Sequence, residues 1–408
     1  MPDYAVFTPE MKKTHTILIP DMLPVHFSIL VGIFRSYGYN VELLRTSTRE
    51  VIDEGLKNVH NDTCYPALLV IGQFIEALKS GRYDPDRTAL LITQTGGGCR
   101  ASNYIHLLRK ALKNTFPQVP VISLNFSGLE KNNGFKMTAP MLIKFVYAVL
   151  YADLLMSLYN QCKPYEINKN DSDRMRDSWQ QRLIESFDNS SFLSTSKNYR
   201  DMLDDFASIK RTDEKKIKVG IVGEIYVKYS PLANNHLEEF LLGEGCEPVV
   251  PALLDFCLYC IQNTINDYDL YGGSLKTKLI YSFVYKIAYG KQKEVISAVK
   301  KHGVFAPPHD FEKMKENADK YIHKGVKMGE GWLIPAEMAE LAETGTQNIV
   351  CAQPFGCLPN HIVAKGVART IKKAFPDANI VAVDYDASSS KVNQENRIKL
   401  MIANAKKT

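Results

Sequence analysis

The sequence predicts an α/β protein built from two Rossmann-like, open, mostly parallel sheets, with helices on both faces and a helical insertion in the second half. Three observations carry this. Short apolar runs alternate with amphipathic stretches from Thr14 onward, the signature of βαβ units. The alternation gives way to a polar, charge-rich segment of helical character and restarts after Lys215-Lys216. Cysteines stand at strand-to-helix junctions in both halves. We place a first domain over residues 1–165, a helical connection over 166–215 and a second domain over 216–408, with its insertion at about 253–345.

Taken in order, Thr14–Pro20 reads as a strand, Leu23–Tyr37 as a helix and Val41–Leu44 as a second strand. Asn61-Asp62-Thr63-Cys64-Tyr65-Pro66 leads into an amphipathic helix, Ala67–Lys79, with Pro66 in the first turn, where its missing N–H costs nothing. Strand Ala89–Thr93 ends in Gly96-Gly97-Gly98 and Cys99, before a helix that begins at about Ala101 and runs over Tyr104–Leu112. Strand Val119–Asn125 and a helix over Met137–Tyr159 complete the first half. In the second half Ile217–Gly223 is a strand, Ser230–Asn235 caps a helix at His236–Leu242, and Cys246–Pro251 is the next strand. A largely helical stretch from Leu253 to Leu341 is long for a crossover. The pattern then resumes with strand Asn348–Ala352, loop Gln353–Pro359, helix His361–Ala374, strand Ile380–Asp384 and helix Val392–Ala405. The halves read as two copies of one architecture.

The 408 residues suffice for two cores, and 45% hydrophobic with 23% charged residues is ordinary for a globular protein. A formal charge of +5 from scattered Lys and Arg points away from nucleic acid and suits a small anion or an acidic partner. Met1–Glu10 lacks the apolar region of a secretory signal, and no apolar run reaches about 18 residues, so no membrane span is expected. Phe145–Tyr159 comes nearest and has the length of a buried helix. The expectation is a cytoplasmic protein with eight reduced cysteines, in which metal binding or catalysis outranks disulfides.

Chemistry concentrates around three of those cysteines. Glycines at 96–98 bare their backbone N–H groups, so that the chain can approach a bulky anion. A thiolate at Cys99 gains from the helix start behind it. Cys64 and Cys357 occupy similar junctions, the latter after Gly356. Ligands of open α/β sheets collect at the carboxyl ends of the strands, so three thiolates could converge in the cleft between the domains. Soft sulfur donors select iron–sulfur clusters, zinc or copper, and zinc usually announces itself with paired CxxC knuckles. The alternative is that each cysteine is a small buried hydrophobe. The sole CxxC, Cys257–Cys260, lies among apolar residues of a helix; Cys351 ends a strand and reads as a fourth ligand or a core residue. Cys162 and Cys246 show no such signal. Gly97, Gly98 and Gly356 are candidate cofactor-binding positions. His361 could donate to a cluster or a substrate, Arg100 could pair with an acidic substrate, and Tyr226 lies in a strand-end loop of acids, bases and hydroxyls. There is no P-loop or GxGxxG, which argues against ATP hydrolysis or NAD binding by the usual devices.

Six stretches together, NDTCYPA (Asn61–Ala67), TGGGCRASNY (Thr95–Tyr104), GEIYVKYSPLANN (Gly223–Asn235), GEGWLIPAEM (Gly329–Met338), QPFGCLPNH (Gln353–His361) and DYDASSSKVNQENRIKLM (Asp384–Met401), resemble the 2-hydroxyacyl-CoA dehydratase superfamily. The branch is that of the C-terminal module of large CoA-dehydratase activator proteins; relatives include benzoyl-CoA reductase subunits and a double-cubane cluster protein. The resemblance implies two Rossmann-like domains with an oxygen-sensitive iron–sulfur cluster between them, a 4Fe–4S cubane or an 8Fe–9S double cubane. It assigns Cys64, Cys99 and Cys357 as ligands, with Cys351 and Cys260 as further candidates. It also implies low-potential electrons from an ATP-hydrolysing activator. No ATPase domain is present here, so that iron–sulfur partner would be a separate polypeptide. A homodimer or heterodimer acting on a small molecule or an acyl-CoA is the expected assembly, although an acyl-CoA signature is not evident.

Overall fold

A computed structural model describes residues 4–60, 62–94, 98–125 and 134–406. After the single turn α1 (Met11–Thr14), β1 (Thr16–Pro20) leads through α2 (Pro24–Ser36) to β2 (Asn40–Leu44). Helices α3 (Arg49–Asn58) and α4 (Tyr65–Lys79) cross to β3 (Thr88–Thr93), and α5 (Tyr104–Thr115) crosses to β4 (Val121–Leu124). The four strands are parallel, in the order β2-β1-β3-β4. Three long helices follow: α6 (Ala139–Cys162), α7 (Asp171–Asp188) and α8 (Thr195–Ala207).

The second half opens with β5 (Ile217–Gly223), then α9 (Ile225–Tyr229), α10 (Pro231–Asn234), α11 (Leu237–Gly243) and β6 (Cys246–Val249). The insertion supplies α12 (Leu253–Tyr271), α13 (Leu275–His302), α14 (Phe311–Asp319) and α15 (Leu333–Glu343). Then come β7 (Asn348–Pro354), α16 (Lys365–Ala374), β8 (Asn379–Tyr385) and α17 (Lys391–Ala405). Again all pairings are parallel, in the order β6-β5-β7-β8. Each half therefore arranges its strands second, first, third, fourth. The order reverses between the first and third strands of each sheet, which opens a crevice at their carboxyl ends.

Burial explains the strand composition. Parallel strands covered on both faces read as continuous apolar runs, as Leu90, Leu91 and Ile92 do. In β7, Val350 and Ala352 face a core that both sheets share, whereas Ile349 and Cys351 face a separate one under α15 and α16. The shared core also takes in nearly all of α4, from Tyr65 to Leu78 with Glu76 as the exception. That helix is enclosed on all sides, not amphipathic as the sequence suggested, because the second half covers the face that would otherwise meet solvent. Gly55 and Gly72 let α3 and α4 touch backbone to backbone; a methyl at Gly55 would meet the Leu68 carbonyl oxygen. The pattern gave no sign of α3.

Two other expectations change. Pro231–Asn234 is itself a helical turn, and the chain reverses through left-handed Asn235 and His236 before α11. Helix α6 falls close to its expected bounds, but with the turn that follows, Ala139–Tyr165 is long and apolar enough to cross a membrane, at a mean hydropathy of 1.7. It is instead a core helix, with 56% of that apolar window buried among α2, α7, α8, α12 and α13.

The connecting helices belong to the same core. Trp179 on α7 is 3% exposed, donates from Nε1 to Asp205 Oδ2 (3.0 Å) and carries the Arg182 guanidinium over its ring at 3.7 Å. Trp179→Ala should therefore destabilise the protein by about 3–5 kcal/mol, the usual cost of emptying a buried Trp site. Denaturant unfolding checks this; a loss near zero would mean that α7 is peripheral.

Candidate metal centre at the carboxyl edges of the two sheets

Three turns meet at this edge. Cys64 precedes α4 and is buried. Its sulfur shares a 2.8 Å hydrogen bond with the Tyr104 hydroxyl at the start of α5. Cys99 follows β3, half-buried, at the head of a 3-10 turn, Arg100–Asn103. Cys357 follows β7 and is buried under an irregular π-type turn, Pro359–Ala364. Such turns recur at functional sites. Here it aims Asn360 Nδ2 at Cys357 Sγ, 3.1 Å away.

The loops are tied across the halves. Tyr65 N–H donates to the Phe355 carbonyl (3.1 Å), so the first turn of α4 is satisfied by the β7 loop. Gly356 has φ +76°, and a Cβ there would sit 3.3 Å from Cys64 Cα, so backbone conformation and space both call for glycine. Arg100 Nη1 donates to the Asp62 carbonyl, which pins the Cys99 turn to the Cys64 loop. Any side chain at Gly98 would collide with the sulfur of Met328, in the turn before α15. Gly97 lies outside the described residues.

Two carboxyls close the far side. Glu224, at the end of β5, accepts from Val227 N–H (2.8 Å), and Glu330 accepts from Ile225 N–H (3.1 Å). Glu224 lies within electrostatic reach of all three thiols, and Glu330 of Cys99 and Cys357. Burial raises Cys64 to about 11 despite its bond from Tyr104, and pushes Cys99 and Cys357 up as well. Burial also lifts Glu224 and Glu330, and Glu330 adds to the effect on Glu224, with Lys228 pulling both the other way. Lys228 is itself buried against Glu337 at 2.9 Å.

The other candidates scatter. Cys351 lies one layer deeper: Gln353 Nε2 donates to its sulfur (3.5 Å), and Asn360 stands between it and Cys357. Burial raises it to about 12. Cys260 is exposed on α12, and Cys162 is buried in the helical core. Tyr226 is buried in the core that the sheets share. His361 stands at the rim, its ring edge-on to Phe355 with Lys365 3.3 Å from Nδ1 and Asp384 4.0 Å away. Asn360, Tyr104, Gln353 and Glu330 carry no sequence signal of their own; only the folded turns reveal them.

Among the described residues no three His, Cys, Asp or Glu side chains are drawn together closely enough to ligate one metal ion. A cluster asks for something else: separate thiolates, one per corner, in a pocket with N–H and O–H donors to sulfur. The donor set here has that character, with three cysteines from three turns and donors from Asn360 and Tyr104. No protein-family model matches the chain, and no curated protein sequence matches it.

The raised carboxyls set a pH dependence for the metal-free protein. A glutamate kept neutral in the fold contributes stability that is complete below its unfolded value and is lost as pH rises through the raised folded value. Glu330→Gln retains an acceptor for Ile225 N–H but cannot ionise. Its denaturation midpoint should exceed that of the parent at pH 8 by more than at pH 4.5. Equal differences at the two pH values would show that Glu330 is ionised in the fold.

Proposed function

We propose that this chain is an iron–sulfur redox protein of the 2-hydroxyacyl-CoA dehydratase type, with its cluster in the cleft between the halves. The observation that carries the reading is the convergence of Cys64, Cys99 and Cys357, from three turns of two separately built sheets, on one edge. Bound there, a 4Fe–4S or 8Fe–9S cluster would supply single electrons at low potential. The residues around it have separate tasks. The Asn360 side-chain amide and the Tyr104 hydroxyl would orient and tune the sulfurs, burial disfavours charge on Glu224 and Glu330 beside them, and buried side chains exclude water. Arg100 and His361 stand at the rim, where a small anionic substrate or an acyl-CoA would be oriented.

Electrons would come from a separate ATP-hydrolysing activator, as the family resemblance implies. A second reading, a non-catalytic electron relay, is favoured by the depth of Cys64 and Cys357. A cavity of about 480 Å³ lies elsewhere, beside Tyr165, Arg211, Lys218 and Glu247. Turnover of a substrate by the activated protein separates the two readings.

Each of Cys64→Ser, Cys99→Ser and Cys357→Ser should lose most bound iron after anaerobic purification, whereas Cys162→Ser should retain it. Iron per chain together with an EPR spectrum checks this. A colourless wild-type protein, or full iron in all three variants, would sink the cluster reading.

A further inference from the structure

The cavity of about 480 Å³ lies against the amino ends of β5 and β6, at the opposite edge of the second sheet from Cys357. Lys218 and Glu247, each the second residue of its strand, are register partners, and Lys218 Nζ stands 3.4 Å from Glu247 Oε1. Glu247 is 4% exposed, and its other oxygen accepts from the Tyr165 hydroxyl at 2.6 Å. The walls are tied to one another within the chain. Gln161 donates to the Ala306 carbonyl (3.2 Å) and accepts from Ala306 N–H (2.8 Å). Thr212 N–H donates to the Tyr165 carbonyl (2.8 Å), which closes the connecting segment onto the turn after α6. Arg211 is the exception. Its guanidinium lies over the Phe305 ring at 4.8 Å, and Nη1 is 4.0 Å from the Cys162 sulfur. Among the described residues it pairs with no carboxylate, although a guanidinium carries five donors.

We propose that this cavity binds a hydroxylated organic anion, with its phosphate or carboxylate head on Arg211 and its hydroxyls on Glu247. The volume lies within the range of about 300–1,000 Å³ typical of small-molecule sites. It far exceeds the roughly 30 Å³ share of one water, so a bare ion would leave it filled with solvent. A guanidinium fork matches either head group. The rest of the lining decides the body. An ammonium on the ligand would face both Arg211 and Lys218, whereas hydroxyls can donate to the lone pairs that Glu247 still has free. Asp213, exposed at the mouth, repels a second anionic group, so the charge belongs at one end. Val304 and Phe305 offer apolar surface to the carbon chain. Walls already fixed by hydrogen bonds leave little to order on binding. The inference does not depend on the cluster, since the site is remote from the cysteine edge. A ligand held there would join the connecting segment to the insertion, because Arg211 belongs to one and Phe305 to the other.

Isothermal titration of the full chain, purified anaerobically, tests this with sorbitol phosphate, gluconate and inorganic phosphate. The first two share a polyhydroxyl chain and differ in head group. At least one of them should bind once per chain with a dissociation constant below about 1 mM, and the tighter one identifies the head. Inorganic phosphate should bind at least about tenfold more weakly. Arg211→Gln should weaken the tighter ligand about tenfold or more, the usual effect of losing a charged hydrogen-bond donor. Arg82→Gln, which removes an exposed guanidinium paired with Glu76, should leave binding unchanged. If Arg211→Gln folds poorly by circular dichroism, Arg211→Lys replaces it; the charge stays, the fork is lost, and binding should weaken about threefold or more. Neither polyhydroxyl anion binding at up to about 10 mM overturns the inference. So does undiminished binding in the Arg211 variant, or inorganic phosphate that binds as tightly as the better of the two.

Discussion

The structure depends on how the first turn of α4 meets the loop after β7. A helix start leaves N–H groups without partners inside the helix. In this chain one of them, on Tyr65, finds its acceptor in the opposite half, at the Phe355 carbonyl. The next residue, Gly356, takes a left-handed conformation against the Cys64 backbone, and Cys357 follows it. One short contact thus fixes the distance between cysteines nearly 300 positions apart. Around it the two sheets share a core, with α4 enclosed between them. Burial on that scale makes the halves one folding unit, and it leaves the edge little freedom to open.

The insertion is held to this edge by buried polar groups. Asp153 on α6 accepts from Leu253 and Leu254 N–H at the head of α12 (2.8 and 2.9 Å) and contacts His26 Nε2 at 2.8 Å. At the other end of the insertion, the Tyr259 hydroxyl donates to the carbonyls of Lys327 and Gly329, 2.9 Å each, and Trp332 Nε1 donates to Asn263 Oδ1 at 2.8 Å. These bonds place the turn over residues 325–331 against Gly98. A buried donor or acceptor that lost its partner there would cost about 1–3 kcal/mol. The turn is therefore a fixed wall of the site.

Strands, crossovers and the doubled architecture were legible because a parallel strand buried on both faces must be an apolar run between helices. The three junction cysteines were legible for a related reason: glycine and proline mark where a strand hands over to a helix. What the sequence hid is long-range. No local pattern couples Asn360 to Cys357 through a π-type turn, or Tyr104 to Cys64 across forty positions. The enclosed state of α4 could not be read from its own residues, since the covering face comes from the second half. For Cys351 the sequence left ligand and core residue open; strand alternation sends it into the core under α15 and α16, whereas Cys357 lies beyond the strand in the loop.

The repeated strand order lets the centre be read as four corresponding corners. The loop after the third strand carries Cys99 in the first half and Cys357 in the second. The helix that precedes the third strand is α4 in one half and α15 in the other; Cys64 caps the first, and Glu330 lies in the turn just before the second. Three corners therefore hold soft sulfur and the fourth holds a carboxyl that burial keeps toward its neutral form. A fourth thiolate would close the ligand set with sulfur and would add charge beside a carboxyl, Glu224, that lies within reach of every cysteine. Burial disfavours the charged form of the carboxyl that stands there instead. On the cluster reading, the break in the internal symmetry, with glutamate where a fourth cysteine would have stood, would leave a group that can carry a proton at the edge.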